Sequence, residues 1–574
     1  MLRLLLTTVL LLATACGGLF GSQDELGGMP QRAEKVYRGG PIVTLDPAGT
    51  IAEALAVSGG QIIAVGSEDN VLALQGPETR VIDLNGHALL PGFIDAHGHL
   101  SQLARFAAMV NVAAPPVGRV KSIGDLQKTL RRYIRDRPVP AGTWVVASGY
   151  DDALLEEQRH PTRKDLDAIS TEHPIVALHV SLHLAAANSA ALAAVGIDAQ
   201  TPDPPSGVFR RFEGTNEPNG VMEEHAMYAV LGQMPQPEAS ALFGALTEAQ
   251  QIYASHGFTT AQDGATDVGT FQFLQAAQDQ GLLFLDVEAF GIWSGFDAVV
   301  EAARKPVGEY DGHLKLAGGK IVLDGSPQGK TAWLTKPYHV PPEGQGADYV
   351  GYPALEDDAV YAFAEKLRSN GWPILAHANG DAAAEQWIRT VEKLRKAQGK
   401  RDWRPVMIHA QALRRDQLPR VAKQGIVPSF FVAHTFYWGD WHRDSVFGAE
   451  RGAQISPAAS ALANGIRFTI HNDAPVVPPN GVFLLWTAVN RLTRSGQVLG
   501  EDERLTPEQA LRAMTIDAAY QAFEEDRKGS LEPGKLADLV VLSANPLEVD
   551  PMTLRDLEVL ETIKAGNTIW HEAD

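Results

Sequence analysis

Pro91-Gly92-Phe93-Ile94-Asp95-Ala96-His97-Gly98-His99 is a short apolar run that ends in two histidines spaced by one residue. Side chains at i and i+2 share one face of a strand, so His97 and His99 point the same way and can reach one metal ion. Outward from this stretch, seven more apolar runs end in polar residues: Phe258–Asp263, Leu282–Phe290, Lys320–Asp324, Pro373–His377, Val406–His409, Ile426–Ser429 and Arg467–Asp473. Helical stretches such as Asp357–Ser369 and Ala382–Ala397 separate several of them. Eight β-α alternations predict an α/β fold, a (β/α)8 TIM-like barrel with its chemistry at the C-terminal ends of the strands.

The flanks have another texture. Residues 34–90 and 527–574 read as short strands with glycine turns, and Gly59-Gly60 is a two-residue hairpin signal. Neither piece makes a convincing sandwich alone, so the expectation is one small composite β-sandwich domain built from both chain ends. It brackets a barrel spanning 91–526. The gap after the first barrel strand, about 101–257, is too long for a loop and predicts an inserted subdomain.

At 45% apolar and 21% charged residues the composition is that of an ordinary globular protein. A formal charge of −20 with no basic stripe argues against nucleic acid as a partner. The single cysteine is Cys16. Arg3, the largely apolar run Leu4 to Leu12, and Ala13-Thr14-Ala15 before it have the order of a secretory signal over residues 1–15. Small residues before Cys16 and Gly17-Gly18 after it resemble a bacterial lipoprotein signal. The expectation is an exported protein, lipidated on Cys16, tethered through 16–33 and held on a membrane at the periplasmic or cell-surface side.

The other strand ends carry the same residue types as the first. His377 ends the fifth run, His409 the sixth and Asp473 the eighth. Any one of them could be a hydrogen-bonded structural residue, but four histidines and an aspartate at one barrel mouth point to a divalent metal. Lys320 begins the fourth run, with Val322 and Asp324 on its face. A bare ammonium there is penalised by desolvation and by like charge. Carbamylated by carbon dioxide it becomes a bridging carboxylate; the alternatives are a lysine paired with Asp324 or one facing the helices.

This pattern resembles the amidohydrolase superfamily. Leu323-Asp324-Gly325-Ser326 with Thr331, His377-Ala378-Asn379-Gly380-Asp381 and Asn472-Asp473-Ala474-Pro475-Val476 are similar to amidohydrolase family 3, the group of N-substituted formamide deformylase and the YtcJ-like proteins. Ser181-Leu182-His183 with Asn188, and Gly220 with Glu224, resemble its inserted segment. The resemblance implies His97 and His99 on one metal, His377 and His409 on a second, and Lys320 bridging if N6-carboxylated. Zinc leads the candidate metals, at one or two per chain. Asp473 is implied as ligand and proton shuttle. The implied activity is cleavage of a C–N bond, amide or formamide-like, in a small molecule by metal-activated hydroxide.

Asp324, His183 and Trp438 are candidate substrate contacts. The loop Phe430 to Trp438 is rich in aromatics, which favours a substrate with an apolar or aromatic group. His471-Asn472 stands where many members have Gly-Ser; His471 shares a strand face with Asp473 and either orients it or is a spare histidine. Two rivals remain. A deaminase of the superfamily usually places a glutamate three residues after a barrel histidine, whereas Ala412 and Gly380 stand there. An inactive substrate-binding lipoprotein would be expected to have lost His97, His99 or Asp473.

Overall fold

The computed structural model describes residues 32–572, apart from 108, 116, 138, 235–238 and 343. Cys16 and the expected signal and tether up to residue 31 lie outside the described residues.

Eight parallel strands follow one another in chain order around the central sheet: β1 (Phe93–Ile94), β2 (Phe258–Thr266), β3 (Asp286–Ile292), β4 (Leu314–Val322), β5 (Ile374–Ala378), β6 (Val406–His409), β7 (Val427–Phe430) and β8 (Thr469–Ile470). Each pairs with the next. Just past their ends the first and last segments meet. The Asp473 N–H donates to the His97 carbonyl at 3.1 Å, and the His99 N–H to that of Ala474 at 2.7 Å. The ring is thus closed at its mouth by the residues flanking the candidate ligands. Short, buried, β-branched and aliphatic strands such as Ile374–Ala378 suit a sheet covered on both faces.

The largest departures from the expected strand starts are in the third and fourth strands. The third strand runs Asp286–Ile292, not Leu282–Phe290. The fourth begins at Leu314, so Lys320 stands near its C-terminal end and not at its start.

The chain ends share one eight-stranded sheet, in the order 567–571, 559–564, 539–542, 88–91, 33–43, 51–58, 61–66, with 75–83 also paired to 33–43. The long strand Ala33–Val43 changes register between Arg38 and Ile42, where Gly39 sits at φ +77°. There the sheet bends. The edge strand 61–66 is then tied to the segment leading into 539–542, with the Ile62 N–H donating to the Lys535 carbonyl and the Ala537 N–H to that of Gly60, both at 2.9 Å. Leu55, Val57, Ile62, Leu89, Leu539 and Ile563 fill the fold between them.

A buried charge network joins this sheet to the barrel floor. Lys564 donates to Asp538 at 2.7 Å and to Asp286 at 2.6 Å, and Lys528 donates to Asp286 and bridges to Glu524. Removing one partner of such a cluster leaves an uncompensated buried charge, which costs about 3–5 kcal/mol.

After β1 the chain leaves through the helix Leu100–Ala107 and returns through Ala239–Ser255, both packed into the barrel core. Between them lies a six-stranded mixed sheet from Val110 to Glu224. Its strands are buried on both faces by period-two alternation. Ile175 and Ala177 meet the helix Ile123–Asp136, while Val176 and Leu178 meet Leu192 and Met227 on the other side.

Candidate metal centre

The candidate ligands reach the mouth from the C-terminal ends of five strands, His97 and His99 both after β1, Lys320 on β4, His377 on β5, His409 on β6 and Asp473 after β8. Asp473 is the focus. His99 Nε2 lies 3.3 Å and His97 Nε2 3.5 Å from its Oδ1, and His409 Nε2 lies 3.9 Å from its Oδ2. Asp473 Oδ1 is buried and has no hydrogen-bond partner. His97, His409 and Asp473 offer ligand atoms all within 4.8 Å of one another. Both His409 and Asp473 are held at positive φ, +68° and +54°, a costly backbone for non-glycine residues that marks an over-determined site.

The protonation pattern suits a cation. Gln262, on β2, takes His97 Nδ1–H on its Oε1 at 2.7 Å and fixes itself by donating to the Ala96 carbonyl. That leaves His97 Nε2 as the lone pair facing Asp473. Burial, reinforced by Lys320, keeps the His97 imidazole far below its ordinary pKa, and burial with His377 does the same for His409. Burial would raise the Asp473 carboxyl, but His99, with His471 and Lys320, lowers it below its ordinary value. Neutral imidazoles at His97 and His409 beside an ionised carboxylate are a donor set that fits a divalent metal.

Lys320 is paired neither with Asp324 nor turned to the helices. Its Nζ donates to His97 Nε2 at 2.9 Å, inside the mouth. Burial pulls its pKa down to about 7. A large neutral fraction at physiological pH is what an amine needs to react with carbon dioxide.

His377 stands one step away, its ring 4.6 Å from that of His409. It faces Asp324, which the sequence offered as a substrate contact. Asp324 is instead fully engaged. Its Oδ1 accepts His377 Nδ1 at 3.2 Å and the Asn379 N–H, and its Oδ2 accepts the Gly380 and Trp333 N–H groups. Four acceptances leave it no capacity for substrate; it orients His377.

His183, carried in by the inserted subdomain, sets its ring 5.3 Å from that of His377. Its Nδ1 meets the Glu224 carboxylate at 2.8 Å. Burial opposes its charge, yet Glu224 raises its pKa.

His471 does not orient Asp473. The strand ends at Ile470, so alternation stops there. His471 Nε2 instead meets His409 Nδ1 at 3.1 Å, and its Nδ1 meets the Ser429 hydroxyl at 2.9 Å.

Trp438 Nε1 donates to Asp151 at 2.5 Å, and its ring lines a cavity of about 260 Å3. Leu103, Phe106, Tyr437, Pro475 and Val476 share that wall, so the cavity begins two residues beyond Asp473. Of the loop's other aromatics, Phe436 packs on Phe483 and Trp486, away from this wall.

A second cluster, Asp151, Asp152 and His179, also gathers ligand-type atoms. There the Ser181 N–H donates to His179 Nδ1 at 3.1 Å, so the proton is on Nε2 and goes to Asp152 at 2.9 Å. With both nitrogens committed, that imidazole is a structural partner.

Gln262 and the coupling of His471 to His409 were missed by sequence reasoning. Period two from Thr260 would have put Gln262 on an interior face, but nothing local names its partner.

A family model described as amidohydrolase family matches residues 80–570. The chain belongs to the amidohydrolase family. It is 28% identical to N-substituted formamide deformylase of Arthrobacter pascens over 94% of this chain and 98% of that one. It is also 28% identical to the amidohydrolase YtcJ of Bacillus subtilis (strain 168), over 94% and 99%. Among solved structures, a metal-dependent hydrolase from Pyrococcus horikoshii superposes with a TM-score of 0.70 at 25% identity, over 90% of this chain and 99% of that one. As a member of this family the chain is a hydrolase, and the mouth described above is where its metal-binding residue types converge.

Proposed function

We propose that this amidohydrolase cleaves a C–N bond, amide or formamide-like, in a small molecule with an apolar group. The observation that carries this is the buried, unpartnered Asp473 Oδ1 facing the Nε2 atoms of His97 and His99. His97, His99, His409 and Asp473 would hold a divalent metal, zinc first, with Lys320, N6-carboxylated, and His377 extending the site to a second ion. When bound, such a metal polarises a carbonyl and lowers the pKa of a water from 15.7 towards about 7.

The protein's own groups do the rest. Asp473 takes the proton of the attacking water and returns it to the leaving nitrogen, a general base and then a general acid worth about 10²–10⁴-fold. Gln262 and His471 fix the imidazoles of His97 and His409. His183, braced by Glu224, donates to the substrate carbonyl oxygen in this proposal. Trp438 and its neighbours take the apolar group. The similarity to a formamide deformylase supports formyl and other small acyl groups on that nitrogen. We also propose that the protein is exported and anchored to a membrane by a lipid on Cys16.

The test is amine release from a panel of N-formyl and N-acetyl amines by the full chain, with chelation and metal restoration. Hydrolysis lost on chelation, regained with zinc or manganese and abolished in Asp473→Asn is expected. Hydrolysis indifferent to chelation would overturn the proposal.

A further inference from the structure

Of the histidines around the mouth, His183 comes from the inserted subdomain and not from a barrel strand. It stands in the connection between two strands of the inserted sheet, Ile175–His179 and Leu184–Ala187, with its ring 5.3 Å from that of His377. A side chain carried on a turn is placed less precisely than one on a strand unless hydrogen bonds and packing fix the turn. This turn is also costly. Leu182 is held at φ +62°, a left-handed backbone that a non-glycine residue keeps only where its surroundings over-determine it.

That bracing starts at Asp152. Its Oδ1 lies 2.9 Å from His179 Nε2, whereas Asp151 Oδ1 lies 4.0 Å away and accepts the Ala153 N–H instead. An ionised carboxylate only accepts, so it fixes the His179 proton on Nε2. Nδ1 is then a bare lone pair aimed into the turn, where it takes the Ser181 N–H at 3.1 Å and the Ser181 hydroxyl at 2.8 Å. With its own proton committed, Ser181 Oγ accepts the His183 N–H at 3.2 Å. The Leu182 N–H closes the turn by donating to the His179 carbonyl at 3.0 Å, and the Glu224 N–H donates to the His183 carbonyl at 2.8 Å.

The relay runs in one direction, from the His183 amide to the Asp152 carboxylate. His179 and Ser181 are 0% and 4% exposed, so water cannot stand in for a lost member. Without the Asp152 acceptor the His179 proton is free to move to Nδ1, where it would oppose both Ser181 donors and open the turn. Leu182, which packs against the barrel core, and His183 would move with it.

Resting on the hydrolase proposed above, we infer that Asp152, acting through His179 and Ser181, holds the turn that presents His183 to the substrate carbonyl. Asp152 is a positioning residue; among the described contacts it touches none of the candidate metal ligands.

The test combines turnover of the best N-formyl or N-acetyl amine of the panel above with amide hydrogen exchange, both on the full chain. Asp152→Ala, Asp152→Asn and Ser181→Ala are made alone and together with His183→Ala; Ser181→Ala removes the last link with little risk to folding. Asp152→Ala and Ser181→Ala are expected to lower kcat about 10- to 100-fold, the scale of a displacement of about 1 Å, with KM and bound metal little changed. Asp152→Asn, whose amide oxygen still accepts, keeps most of the activity. In the His183→Ala background none of the three costs anything further, because residues that act through one group do not add. Exchange at the amides of 181 and 183 rises in Asp152→Ala while the strand Val145–Tyr150 keeps its protection. Losses that multiply in the His183→Ala background, or exchange at 181 and 183 unchanged by Asp152→Ala, overturn the inference. Faster exchange at those two amides with no hydrolysis by the wild type would leave the positioning standing and count against the C–N hydrolase reading instead.

Discussion

His471 and His409 are joined ring to ring, Nε2 to Nδ1 at 3.1 Å, with the far nitrogen of His471 on the Ser429 hydroxyl. For His409 to offer its Nε2 lone pair, its Nδ1 must carry the proton and give it to His471. The relay therefore fixes the tautomer of a candidate ligand. His471→Ala is expected to weaken metal affinity by about 10- to 100-fold, the usual cost of losing such a partner. Metal titration against a competing chelator measures this; unchanged affinity would make His471 a packing residue.

Lys320 links burial to pH. Its folded pKa of about 7 lies below the ordinary lysine value of 10.5, so between these values the unfolded chain binds more protons than the folded one. Stability of metal-stripped protein therefore rises with pH across that window, by at most about 1.4 kcal/mol per unit from this group. Below pH 7 the desolvation penalty is fully present. Denaturant unfolding from pH 7 to 10 should show that slope in the wild type, reduced in Lys320→Met. Parallel curves for the two proteins would count against a buried, depressed lysine.

Gly264 makes room for His97. A Cβ on it would lie 2.4 Å from His97 Cε1. Gly264→Ala is expected to push that imidazole off Gln262, cost about 1–3 kcal/mol of stability as an overpacked site, and weaken metal binding with it. Thermal unfolding and metal titration of the same variant check both effects.

Cys16→Ser expressed in full length is expected to leave the membrane fraction and lose incorporation of labelled fatty acid. Retention of the label would place the lipid elsewhere, and no label in the wild type would remove the anchor.

What was legible in the sequence was whatever repeats with period two or closes an apolar run. His97 and His99 announce themselves by spacing, and His377, His409 and Asp473 by ending strands. β4 starts six residues before the run that opens at Lys320, and Gly318-Gly319 lie within it. In the fold these glycines lie mid-strand because side chains there would strike the Pro373 carbonyl at 2.3 Å and Leu367 at 2.5 Å. Lys320 was thus assigned the wrong end of its strand, and its inward face was one of the alternatives the sequence left open. Asp324 looked like a free acid because its four donors come from Trp333, His377, Asn379 and Gly380, a convergence that only the folded loop creates.

The most direct test of the central claim is metal content per chain, measured on full-length protein purified without chelator in the presence of bicarbonate, beside the double variant His97→Asn, His409→Asn. At least one divalent metal per wild-type chain, absent from the double variant, is predicted. A wild-type chain that holds no metal after exposure to zinc and manganese, or a double variant that holds as much as the wild type, would contradict the account.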